Sequence, residues 1–120
     1  MLTLPIKKKW FDMILSGEKK EEYREIKPYW TKRLLTTDID IDLERLKDQL
    51  RKENSFLNKT VIFRNGYRKD SPKIRCLVSI NIKQGKPEWG AEPSKMYYVL
   101  KILSVEEIRY ESKKIKENFK

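Results

Sequence analysis

The sequence predicts an α+β fold, and three observations carry that reading. Apolar and polar residues alternate over several short runs, as in half-buried strands. Between the first two of these runs lies a segment with helical spacing that stops at a glycine. No internal repeat, low-complexity tract or linker divides the 120 residues, so one domain over 1–120 is expected, able to bury about two thirds of its unfolded surface.

Leu2, Leu4 and Ile6 alternate as a first strand, with Pro5 tolerated at a sheet edge. Trp10 to Ser16 follows as an amphipathic helix whose Trp10, Ile14 and Leu15 share a face, and Trp10 is assigned to the core. Gly17 falls where a helix ends in the left-handed conformation. A second strand runs from Glu21 to Ile26, and Pro28 opens a short helix through Trp30 and Leu34. Asp38 or Asp40 is the expected cap of a third helix carrying Ile39, Leu43, Leu46 and Leu50. That helix makes residues 36–58 a helical insertion. Lys59 to Phe63 is a strand ending at a tight turn, Asn65-Gly66, while Ile74 to Ile82 and Met96 to Ile108 supply two more, bridged by the loop QGKPEWGAEPS.

After Gly17 the spacing G-x-K-x-x-E-x-R sets Lys19, Glu22 and Arg24 where helix hands over to strand. On a strand Glu22 and Arg24 share one face. Lys19 offers a cation that burial could turn into a base, Glu22 a carboxylate to balance it, and Arg24 a planar fork for a phosphate or a base edge. The alternative is a solvated strand with ordinary ion pairs, which is the reading taken for Lys20 and Glu21. Arg64, Asn65 and Tyr67 follow a strand end, where Arg64 and Tyr67 could pair with or stack on a base and Asn65-Gly66 could equally be plain turn chemistry. Trp89, in a loop rich in Gly and Pro, either plugs the end of a barrel or walls a pocket.

The segment Lys8 to Trp30, KKWFDMILSGEKKEEYREIKPYW, resembles the opening of the ASCH domains, especially small single-domain members from bacteria and phages. VIFRNGY (Val61 to Tyr67) and EWGA (Glu88 to Ala91) resemble further segments of the same proteins, so the likeness touches most of the chain outside 36–58. The resemblance implies a PUA-like fold, a small β-barrel with flanking helices, and a cleft for RNA or a modified nucleoside. Some similar proteins are amidohydrolases that deacylate N4 of cytidine with a lysine, a threonine three residues later and a glutamate elsewhere. Aligning glycine and lysine puts that lysine at Lys19 and the threonine at Glu22, so the hydroxyl nucleophile is missing here. Glu88 is the candidate for the distant glutamate.

Composition bounds the chemistry independently. With 28 Lys and Arg against 18 Asp and Glu, the net charge is +10, which favours polyanionic partners. Residues 1–33 carry a net +4, 34–55 a net −2 and 56–120 a net +8, so the middle segment is the one least suited to a phosphate backbone. Lys113, Lys114, Lys116 and Lys120 read as a solvated tail. The chain has no histidine and one cysteine, Cys76, inside an alternating apolar run. That excludes a Cys/His zinc site, an internal disulfide, a Ser-His-Asp triad and a Cys-His pair, and makes Cys76 a buried thiol. No metal or cofactor is expected. No apolar stretch approaches a membrane span and no signal peptide is visible, so a cytoplasmic setting is expected.

The expected function is RNA or nucleotide binding in a basic cleft formed by Lys19, Glu22, Arg24, Arg64, Asn65, Tyr67 and Trp89. The alternative is an amidohydrolase acting on an acylated nucleoside, with Lys19 and Glu22 moving the protons around a water nucleophile. A module that docks an acidic protein is a third reading.

Overall fold

A computed structural model describes residues 1–35, 42–52 and 57–109. Five strands form one mixed sheet: β1 (Leu2–Ile6), β2 (Glu21–Glu25), β3 (Leu57–Asn65), β4 (Lys73–Gln84) and β5 (Met96–Arg109). The helices are α1 (Lys8–Ser16), α2 (Pro28–Leu34) and α3 (Leu43–Leu50), and a single 3-10 turn spans Pro87–Trp89. The sheet order is β1-β3-β4-β5-β2, with β1 parallel to β3 and every other pair antiparallel. The α+β expectation is met and the alternating runs become the strands that they signalled.

The expected barrel does not form. β1 and β2 are the outer strands, and among the described residues no ladder joins them. Pro5 has no N–H to donate, which suits an edge strand and weakens any closing ladder. One side chain spans the gap instead, as Arg24 Nη2 donates to the Pro5 carbonyl at 3.2 Å. An open seam therefore remains between the two edges.

The main core lies on the helix-covered face. Leu4, Phe11, Ile14, Leu34, Leu50, Phe63, Val78 and Leu100 are all buried there. Cys76 belongs to the same core, and burial pushes its thiol up to about 12, which keeps it inert. On the opposite face Tyr23, Ala91, Tyr97 and Val99 form a second, smaller cluster against which Trp89 packs.

Local chemistry explains where the helices stop and start. Gly17, at φ +85°, ends α1 by donating its N–H to the Ile14 carbonyl at 3.1 Å. Pro28 opens α2 as expected. The third helix differs: its cap is Asp42, whose carboxylate accepts from the amides of Glu44 and Arg45. Two orphan amides are satisfied by that one residue, so the helix begins at Leu43. Asp38, Asp40 and Ile39 lie outside the described residues, as does the lysine tail. Of the 36–58 insertion, α3 is the described helical part, and Leu57 and Asn58 already belong to β3.

Candidate functional site

At the seam between β1 and β2 lies a cleft of about 400 Å³, within the usual size range of small-molecule sites. Glu22 and Arg24 register with Leu100 and Tyr98 of β5, so both side chains fall on the helix-covered face and line the cleft. Trp10 of α1, Trp30 of α2 and Trp89 of the loop between β4 and β5 add aromatic surface. Tyr67 and Tyr97 complete the walls.

The charged motif is a relay of contacts centred on Glu22. One carboxylate oxygen lies 3.2 Å from Lys19 Nζ and the other 3.0 Å from Arg24 Nη1, with Glu22 itself 7 % exposed. Arg24 stacks on Trp30 at 5.0 Å and reaches the Pro5 carbonyl, while its Nε is buried without a hydrogen-bond partner among the described residues. The carboxylate thus fixes one guanidinium plane at the back of the cleft, in front of an aromatic ring.

Lys19 is placed differently from the expectation that it lines the cleft. Its side chain is fully buried behind Glu22, and besides that carboxylate it donates to the carbonyls of Glu21 at 2.6 Å and Trp89 at 2.8 Å. Three ammonium protons meet three acceptors, which leaves none for a ligand. The rings of Trp10 and Tyr23 lie 5.0 and 4.9 Å from Nζ. Burial lowers the pKa of Lys19 below its ordinary value and Glu22 opposes that shift. The geometry is that of a tether joining the start of β2 to the loop that carries Trp89.

Other members of the expected set divide. Tyr67 and Trp89 line the cleft, but Arg64 and Asn65 are not in its lining. Arg64 donates from Nε to the Gly66 carbonyl at 3.1 Å and so folds back on its own turn, and the Asn65 amide bonds to the Pro72 carbonyl at 2.9 Å. Glu88 is exposed in the 3-10 turn. Trp10, assigned to the core from its helical spacing, is only partly buried: it packs against the core with one part and faces the cleft with another. Glu21, read as a surface ion pair, is buried, accepts from the Tyr23 hydroxyl at 2.8 Å and lies 3.6 Å from Lys83. It was misread because the cover over that face of β2 comes from residues more than sixty positions away.

That cover is the loop from Gly85 to Lys95, and the sequence offered little warning of how firmly it is held. The Tyr23 hydroxyl accepts from the Lys86 amide at 2.9 Å, and the Tyr97 hydroxyl accepts from the Glu92 amide at 2.9 Å. Burial and Glu21 raise the pKa of Tyr23, so the hydroxyl keeps its proton. A Cβ at Gly85 would lie 2.6 Å from Ala91 Cβ and 2.7 Å from the Tyr23 ring. Gly90 takes φ +100° and presses on Trp10, its position for a Cβ lying 3.0 Å from that ring. The one available signal was the pair of glycines flanking Trp89.

The cleft is electrically balanced despite the basic chain. Lys7, Arg24 and Lys95 face Glu22, Glu25 and Glu92. Among the described residues no three Asp, Glu or Cys side chains converge as a metal site, and no helix is long and apolar enough to cross a membrane. No protein-family model, no curated protein and no solved structure matches this chain.

Proposed function

We propose that this protein binds RNA or a nucleotide-sized ligand by taking a base into the seam cleft, as an ASCH-like, PUA-like domain whose sheet stays open. The observation that carries the reading is the convergence of Trp10, Trp30 and Trp89, all three tryptophans of the chain, with Arg24 and Glu22 around one cavity. Aromatic faces stack on any base, and a braced guanidinium beside a carboxylate supplies donors and acceptors for a base edge. Glu22 retains acceptor capacity, since a carboxylate has about four lone-pair sites and Lys19 and Arg24 use two. The resemblance of Lys8 to Trp30 to the ASCH opening supports the same reading.

Because every tryptophan faces the cleft, intrinsic fluorescence reports directly on its occupancy. Titration with the four nucleosides, their 5′-monophosphates and a mixed-sequence single-stranded RNA is expected to quench or shift the emission. Trp30→Ala is expected to weaken binding by roughly 1–3 kcal/mol, the usual weight of one base stack. An emission unchanged by all of these probes at low salt would remove the proposal.

The amidohydrolase reading draws support from one observation, the contact of Lys19 with Glu22 beside a pKa lowered by burial. Two features weigh against it. Glu22 stands where similar enzymes carry threonine, and Lys19 would have to release a carbonyl before it could accept a proton. Turnover of N4-acetylcytidine by the wild type, cut ~10²-fold or more in Glu22→Gln, would favour it; activity that appears only in Glu22→Thr would mark a binder on an enzyme's scaffold.

A further inference from the structure

The two lips of the cleft carry unequal charge. One lip is the end of β1 together with the turn after β3, joined by a bond from the Gly66 amide to the Ile6 carbonyl at 2.9 Å. Lys7, Arg68 and Lys69 are exposed on these segments, and Lys9 is exposed in the first turn of α1 beside them. Lys7 and Lys69 make no ion pair among the described residues, and Lys9 lies over the Trp10 ring at 4.6 Å. Among the described residues of this lip, Asp70, paired with Arg68 at 3.1 Å, and Asp12, paired with Lys8, offset this group. Tyr67 stands on the same lip with 85 % of its surface exposed, yet it also lines the cleft.

The opposite lip is neutralised from within. Lys95 lies 3.2 Å from Glu25 and 3.7 Å from Glu92, and Lys27 lies 3.3 Å from Glu25. Lys95 and Lys27 are thus committed to carboxylates, and Lys86 lies over the Trp89 ring at 4.8 Å as Lys9 lies over Trp10. Glu88 adds a further exposed negative charge, so Lys27, Lys86 and Lys95 are offset by Glu25, Glu88 and Glu92. A phosphate backbone meets no net positive charge there and an excess of lysines on the other side.

We infer that the physiological ligand is a single-stranded RNA whose backbone runs over the Lys7–Lys9 and Arg68–Lys69 lip, with one base in the cleft and a neighbouring base stacked on Tyr67. The inference rests on the base-binding reading of the cleft and adds the class of ligand and the path of its backbone. Phosphate contacts hold the strand through charge, while Tyr67 supplies a stacking platform at the point where the strand turns into the cavity. Free mononucleotides engage the cleft alone and gain little from the lip.

The test compares three proteins against one single-stranded RNA oligonucleotide and one nucleoside, over a range of salt concentrations. The proteins are the wild type, the lip variant Arg68→Gln/Lys69→Gln, and the charge-matched control Lys52→Gln/Lys101→Gln, which alters exposed lysines outside the cleft lining. The wild type is expected to bind the oligonucleotide at least about tenfold tighter than the nucleoside at low salt. The lip variant is expected to lose about tenfold in RNA affinity and to flatten the log–log salt slope by about 1.4, at ~0.7 per single-strand phosphate contact. The control, with the same net charge, is expected to change affinity by less than about threefold.

Equal losses in the lip variant and the control would overturn the inference, because a diffuse field would then account for binding. It would also fall if the wild type bound nucleoside but held RNA no tighter. A wild type whose tryptophan emission responds to neither probe would instead remove the base-binding reading beneath it, so the two failures are told apart by the nucleoside arm.

Discussion

Two walls of the cleft are built on different physical terms. The loop from Gly85 to Lys95, which carries Trp89, is held by a buried ammonium, two tyrosine hydroxyls and a glycine with no room for a Cβ. The turn that carries Tyr67 is held by backbone bonds from Gly66 and Asn65 and by one arginine folded on itself, and its aromatic ring stands in solvent. The first wall has its shape before any ligand arrives and loses little side-chain freedom on binding. The second must order its ring when a base stacks on it. Stability and ligand affinity should therefore separate between the walls.

The largest effect is expected at Glu22, on which the rigid side depends. Glu22→Ala leaves Lys19, fully buried, and Arg24 without their carboxylate, and breaking a buried pair from one side costs about 3–5 kcal/mol. The loss carries a pH signature. The pKa of Lys19 already lies below 10.5, first because of burial, and Glu22 is the main influence raising it. A lysine whose folded pKa lies below its unfolded value destabilises the folded state while protonated, and that cost fades as pH rises through the folded pKa toward 10.5. Removing Glu22 lowers the folded pKa further. Chemical denaturation should thus show a deficit that shrinks from neutral to alkaline pH; a deficit constant across that range would mean that Lys19 is not the residue left exposed to the cost.

Next in size is Gly85→Ala, which forces a methyl group against Ala91 and the Tyr23 ring at distances that real Cβ atoms do not adopt. Overpacking of this kind costs about 1–3 kcal/mol, and the displaced loop should also blunt the tryptophan response to ligand. Tyr23→Phe is milder. It removes the hydroxyl that joins Glu21 to the Lys86 amide, at about 1 kcal/mol or somewhat more because the amide is left partnerless. Amide exchange at Lys86 should accelerate in this variant. Unchanged protection there would show that the loop is held without that bond.

Legibility followed the range of the interaction. Gly17, the period-two placement of Glu22 and Arg24 on one face, and Pro28 were readable because each rests on neighbours within a few residues. Lys19 was found but its use was not, since its decisive acceptor is the Trp89 carbonyl seventy residues away. Glu21 and Trp10 were misjudged for the same reason: one is covered, and the other partly uncovered, by the fold around them. The barrel was expected from resemblance alone, and closure of a sheet is decided by whether two edges pair, whereas here one arginine side chain bridges them and no ladder forms among the described residues. Tyr97 and Lys95 had no local mark of a site, as Tyr97 sits at the start of a long strand that reads as ordinary sheet and Lys95 immediately precedes it.

The smallest stability effect is expected at Tyr67, and it separates the walls most sharply. With 85 % of its surface exposed, the ring contributes little to folding, so Tyr67→Ala should leave the denaturation midpoint within the ~0.5 kcal/mol typical of surface changes. Its effect on ligand should be the reverse. A stacked base is worth roughly 1–3 kcal/mol, so RNA affinity should fall by about five- to 150-fold. Nucleoside affinity should fall less, because the remaining aromatic walls, Trp10, Trp30 and Trp89, still hold the base in the cleft. Tyr67→Phe keeps the ring and should restore RNA binding, since stacking needs the face and not the hydroxyl. If Tyr67→Ala instead lowered stability as much as Tyr23→Phe, the turn would be part of the rigid frame, and the contrast between a preset wall and an adaptable one would not hold.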